Sequence, residues 1–217
     1  CDWSSDVCSS DLLFEWTVRQ VELTPEGWQP QGPPYEVCIR GAGDPNERIW
    51  VFQELLRQAG LTGCVVGVPG EKADDPIRPW FCGLIRDGAV YLFDPRYGLP
   101  VRNADGSIAT LRQLAEKPGL VESFVVEPAL GYPIPPKSLR GFSLLLLVEP
   151  STIAPRMQFL QERLSGGQRV NLFLDFDKLL EVASAAVKPI PDNQGVRLWQ
   201  YPLIVREQSR ADRRRLL

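Results

Sequence analysis

Histidine is missing from all 217 residues of the sequence. Thiol or hydroxyl catalysis of the Cys-His-Asp type needs a base within hydrogen-bond reach of the nucleophile. It also needs a proton donor for the leaving group. Arginine stays protonated near neutral pH and cannot act as that base, so this chemistry is excluded for the chain as it stands. Long apolar runs are also missing. None approaches the roughly 20 residues needed to span a membrane, and the stretch Phe142–Val148 has only the length of a strand. No GxxxxGK(S/T) phosphate loop occurs, and there is no CxxC pair, so neither a nucleotide cradle nor a zinc site is expected. No internal repeat and no low-complexity tract interrupts the chain. No cofactor and no metal are expected.

The first twelve residues, CDWSSDVCSSDL, resemble the conceptual translation of a sequencing-library adapter and are set aside from fold reasoning. Without Asp2, Asp6 and Asp11 the acidic residues fall from 27 to 24, against 24 Lys+Arg, so the remainder is formally neutral instead of −3. Neutrality argues against nucleic-acid binding driven by charge. The terminal RADRRRLL suits a solvated helix end better than a nucleic-acid arm. Cys1 and Cys8 go with the leader, leaving Cys38, Cys64 and Cys82, too few and too scattered for a disulfide framework. The remaining residues suffice for one good core or two small ones. The native start is expected to lie upstream, so no compartment is assigned.

What is present reads as mixed α and β. Leu13–Leu23 suits a short helix or strand, and TPEGWQPQGPPYEV a proline-rich connector. An amphipathic helix is expected over Pro45–Ala59, opened by a capping box of Asp44 and Glu47 around Pro45. Ile49, Phe52, Leu56 and Ala59 form one apolar stripe, widened by Trp50 and Leu55. Gly63–Pro69 is a buried-strand pattern and EKADDPIRP a loop. Trp80–Pro95 is a hairpin about RDGA, and Ala109–Pro118 a short helix. After a proline-rich boundary, EPALGYPIPPKS, the order expected is strand (FSLLLLVEP), helix (Ile153–Leu164), strand (RVNLFLDF), helix (Lys178–Val187) and strand (VRLWQYPLIV). Ser151 or Thr152 would cap the first of those helices. That alternation predicts a small α/β unit, packed on the first part or separate from it.

Two motifs invite a function and are better explained by structure. LSGGQRV copies the signature loop of ABC-type ATPases, but the partner phosphate loop is missing, so a Gly-Gly turn is the expected use. LFLDFDK places Asp175 and Asp177 two residues apart after an apolar run, as at the strand end of haloacid-dehalogenase-type phosphatases. Leu179 stands where those enzymes usually carry Thr or Val. The expected use is Asp175 as a strand end and Asp177 as a helix cap.

GDPNERIWVFQELLRQAGLTGCVVGV followed by RPWFCGLIRDGAVYLFDP resembles the transglutaminase-like core, a branch of the papain-like cysteine-enzyme fold. LLRQAGL, Trp80 and LFDP carry the resemblance, over roughly residues 41–96. It implies an α+β architecture, a helix packed on an antiparallel sheet, followed by a small α/β segment. It also places Pro45 at the nucleophile position, Arg78 at the histidine position and Asp94 at the third triad position. Only Asp94 keeps the family's identity. A wider resemblance, through LFEWTVRQVEL, APRMQFLQERLSGGQRV and LWQYPL among others, is to a family of large uncharacterised proteins from planctomycete bacteria. It implies that the chain is a piece of something longer.

The expected division is a foreign leader over 1–12, an N-terminal segment and connector over 13–40, a transglutaminase-like core over 41–128 and an α/β segment over 137–217. The expected function is that of a catalytically inactive, structural or binding module. Its ligand would be a protein or peptide held by Arg78, Trp80 and Asp94. The competing expectations are an amidase using a displaced thiol, and a phosphatase centred on Asp175.

Overall fold

The computed structural model describes residues 6–25, 31–70, 76–121, 141–164 and 170–215. Helix α1 (Asp6–Gln20) opens the chain. Strand β1 (Glu22–Leu23) and helix α2 (Pro34–Arg40) follow, with strand β2 (Ala42–Gly43) pairing parallel to β1. Residues 6–12 of the leader make the first two turns of α1. Part of the expected connector is α2, because Pro34 stands at its first turn, where a missing N–H costs nothing.

Helix α3 (Pro45–Gln58) leads into β3 (Thr62–Val68), β4 (Arg78–Arg86), β5 (Ala89–Asp94) and β6 (Leu99–Pro100). The β4–β5 turn is Asp87-Gly88, both at positive φ, as the expected hairpin requires. Helix α4 (Leu111–Glu116) carries a capping box of Thr110 and Gln113. Then come β7 (Ser143–Leu146), α5 (Pro155–Arg163), α6 (Phe176–Val187), β8 (Val196–Leu198) and α7 (Tyr201–Arg215). The proline-rich boundary at 127–138 and the Gly-Gly turn at 165–169 lie outside the described residues.

Six strands form one sheet in the order β6-β5-β4-β3-β7-β8, antiparallel except for the β7–β8 pair. The fold is α+β, with seven helices among the described residues. β7 and β8 run parallel and are joined through α5 and α6, as a parallel pair requires a crossover. The segments expected at 41–128 and 137–217 therefore share a single sheet.

Each face of the sheet buries its own core. On one face α1 and α3 pack Phe14, Ile49, Trp50, Phe52 and Leu56 on Val65, Cys82, Leu84, Phe93 and Leu145. The rings of Phe14, Phe52 and Phe93 meet at 5.1–5.2 Å, tying α1 to α3 and to β5. On the other face α4 and α6 cover Val66, Val68, Phe81, Leu92 and Leu144. The stripe expected on α3 is narrower than the buried surface. Arg48, Val51 and Gln53 are buried as well, whereas Ala59 is exposed.

Four expectations give way. RVNLFLDF does not form a strand in its described part, residues 170–175, because β8 takes the place beside β7. VRLWQYPLIV is a strand only through Leu198 and turns into α7 at Tyr201. Ala154, not Ser151 or Thr152, precedes α5, and it offers no side-chain cap. Instead the Thr152 hydroxyl donates to the Glu149 carbonyl. Finally, Arg78 and Pro79, expected in a loop, already belong to β4.

Candidate functional site

The start of α3 is assembled from local sequence. Gly41 ends α2 in the left-handed region, φ 70°, and turns the chain toward Asp44. Asp44 caps α3: its carboxylate accepts from the Glu47 N–H at 2.8 Å, and Glu47 accepts from the Asp44 N–H at 2.9 Å. The second Asp44 oxygen takes the Gln31 amide at 3.0 Å. The second Glu47 oxygen takes the Gly32 N–H at 2.8 Å and the Arg40 guanidinium at 2.7 Å. Both carboxylates are buried and fully engaged at the positive end of the helix. Pro45 occupies the first helical position, and it carries no side-chain nucleophile.

β4 carries a bulge: Val66 stands opposite Phe81 but Gly67 stands opposite Pro79, which leaves Trp80 as an extra residue. Trp80 and Phe81 consequently lie on the same side, stacked at 4.5 Å, and Trp80 is fully buried. Beyond the bulge Arg78 stands opposite Val68, whose side chain belongs to the core under α6. Arg78 therefore faces away from α3, and its Nε is buried without a hydrogen-bond partner. Asp94, at the end of β5, accepts from the N–H groups of Arg96 and Tyr97 at 2.7 and 3.0 Å, shaping the turn into β6. Its charge acts on Arg48 and Cys82 on the α3 side.

Arg48 was not anticipated. It is 5 % exposed and donates to the carbonyls of Val21 and Pro95, holding the end of β5 against the α1–β1 link. Burial lowers its pKa, opposed by the negative charges around it. The described thiols are the reverse of activated. Burial pushes Cys38, Cys64 and Cys82 upward, and for Cys82 the Asp94 carboxylate pushes further, against a smaller opposing pull from Arg48. A nucleophilic cysteine needs its pKa lowered.

The space in front of α3 is covered by the chain's own aromatics. Trp199 and Tyr201 stack at 5.5 Å, and Tyr201 meets Trp50 of α3 edge-on at 6.2 Å. The Tyr201 hydroxyl is buried without a well-formed hydrogen bond, although Asp44 is close enough to hold its proton. Burial and then the Asp44 and Glu47 charges raise its pKa. Beside this aromatic pair opens a cavity of about 610 Å³. Asn46, Ile77, Pro79, Leu145, Arg197 and Ile204 form much of its lining. Sequence reasoning placed these aromatics in a strand. Pro202, which cannot donate to a ladder, was the signal against that reading.

Asp175, not Asp177, caps α6, accepting from the Lys178 N–H at 3.1 Å. It borders a smaller cavity of about 220 Å³ with Lys178, Arg57 and Gln53. Among the described residues no group of acidic, cysteine or histidine side chains could hold a metal ion, and no helix is long and apolar enough to cross a membrane. Comparison with family models, with curated proteins and with solved structures gives no match.

Proposed function

We propose that the chain is a catalytically inactive transglutaminase-like domain, serving as a structural or binding module of a larger bacterial protein. The observation that carries this reading is the start of α3. Pro45 stands where the family places its nucleophile, and the surrounding carboxylates are consumed by capping. A histidine count of zero and thiols whose pKa values are raised support it from independent directions.

A thiol-reactive probe tests the reading at neutral pH. Cys38, half-buried, is expected to react first and at an unexceptional rate. Cys64 and Cys82 are expected to react only as the protein unfolds. A cysteine that labels faster than a free model thiol, or that hydrolyses an amide substrate, would overturn the proposal in favour of an amidase. Magnesium-dependent turnover of a phosphate ester, lost in Asp175→Asn, would overturn it in favour of a phosphatase.

A further inference from the structure

We propose that the smaller cavity, lined by α3, the start of β3 and α6, binds a free apolar α-amino acid, its ammonium held by Gln53 and Asp175 and its carboxylate by Lys178. The inference rests on the reading of the domain as a non-catalytic module, and it gives that module a site and a ligand class.

The cavity has a cause in the sheet. β7 pairs with β3 only from Val65 onward, with Val65 opposite Leu145 and Gly67 opposite Ser143. The Leu144 N–H donates to the Gly195 carbonyl on the other side, so Leu145 and Ser143 are the β7 residues whose backbone groups meet β3. Gly63, two residues before Val65, aims its N–H and C=O in the same direction as Val65. Leu147, the next residue in register, lies beyond the end of β7. Gly63 and Leu147 both line the cavity, which lies where this ladder is one pair short. An α-amino acid carries a donor and an acceptor on one carbon, the complement that a strand residue would have offered there.

Gln53 supplies the first side-chain contact. It is only 3 % exposed, and its Nε2 donates to the carbonyls of Cys64 and Gly83 at 2.8 and 3.5 Å. A carbonyl can only accept, so the amide nitrogen is fixed on that side and the oxygen is the other end. That oxygen lies over Gly63, where a β-carbon would collide with it. It takes no hydrogen bond among the described residues, and a ligand N–H would supply one.

Charge of both signs follows at the rim. Asp175 and Lys178, both exposed, line the same cavity from the start of α6. One Asp175 oxygen caps the helix through the Lys178 N–H, and the second is left for an ammonium. Arg57 is occupied by Glu54 and by the Asn171 carbonyl, so Lys178 is the cation that meets a carboxylate. Leu61, Leu147, Phe173, Leu174 and Val182 receive the side chain. A volume of about 220 Å³ is several times what one water requires, and it holds the ligand to a small molecule. Acceptors, a cation and an apolar wall together fit a zwitterion with an aliphatic side chain.

Calorimetric titration of the full chain with leucine, leucinamide, isocaproate, glycine and the peptide Leu-Gly-Gly tests this. Saturable one-to-one binding of leucine is expected, with leucinamide and isocaproate each about 10-fold weaker and glycine without detectable heat. Lys178→Gln should weaken leucine about 10-fold and leave leucinamide unchanged. Asp175→Asn should weaken leucine about 10-fold and leave isocaproate unchanged. Asparagine caps a helix as well as aspartate does, so this second variant stays folded. Three results would overturn the inference: no saturation by leucine, leucinamide or isocaproate binding as tightly as leucine, or unchanged leucine affinity in either variant. Tighter binding of Leu-Gly-Gly than of leucine would overturn the ligand class in favour of a peptide terminus. None of these touches the non-catalytic reading, which falls only on turnover or on a hyper-reactive thiol.

Discussion

Helices α3 and α5 both begin on a proline, Pro45 and Pro155, yet they are built for different ends. The start of α3 has a reciprocal cap, three further donors on its carboxylates and nine buried residues along the helix. The start of α5 has Ala154, no side-chain cap and no buried residue. Phe159 and Leu160 stand exposed on it, with Arg163 over the Phe159 ring at 4.7 Å. The difference teaches that a proline-led helix start carries no chemistry of its own. In α3 it anchors the core on one face of the sheet.

The comparison breaks most sharply at the buried aromatics. Phe52→Ala should cost about 3–5 kcal/mol, since the ring touches Phe14 and Phe93 and leaves a cavity. Phe159→Ala on α5 should cost less than about 1 kcal/mol. Denaturant titration of both variants measures the pair, and similar losses would abolish the distinction.

A pH series sharpens it next. Folded Cys82, on the α3 face, keeps its proton because of burial and the Asp94 charge. The unfolded thiol loses its proton above about pH 8.5. Above that pH the unfolded state binds fewer protons. The stability from Cys82 is thus full below about pH 8.5 and declines as pH rises, by up to about 1.4 kcal/mol per unit. Cys82→Ala should flatten the decline by that amount in denaturant titrations at pH 8–10, and an unchanged slope would refute the assignment.

The caps give the smallest effects. Asp44→Ala should destabilise by about 1–2 kcal/mol. Ala154→Asp should stabilise by about 0.5–1 kcal/mol, because Ala154 already has the extended backbone of a cap, φ −72° and ψ 134°. Paired thermal and denaturant unfolding reads both signs, and a destabilised Ala154→Asp would show that α5 does not want a cap.

Local chemistry made much of this legible. The Asp44–Glu47 box and the Asp87-Gly88 turn each depend on residues within a few positions and form as expected, and the short helix expected over Ala109–Pro118 is α4, opened by a Thr110 cap that was not foreseen. What failed needed distant partners. Leu172–Leu174 have the composition of a strand, but the edge they would join is filled by Val196–Leu198. Asp175 and Asp177 offer the same capping chemistry, and only the backbone decides that the first one acts. The candidate set Arg78, Trp80 and Asp94 rested on letters matched along the chain. In the structure Trp80 is fully buried, and Arg78 stands opposite Val68 on the face away from α3. The groups facing the larger cavity come from α3, β4, β7 and the β8–α7 junction, a convergence that no spacing in one segment announces.

The bulge at Trp80 has a consequence for how such a chain changes over generations. A strand assigns its residues alternately to two sides, so one inserted codon exchanges the assignment of everything upstream of it. Here that exchange sends Arg78 toward α6 while Cys82, only four residues on, still looks at α3. Descent can therefore retire a polar position by sliding it out of phase, without replacing a single letter on either side.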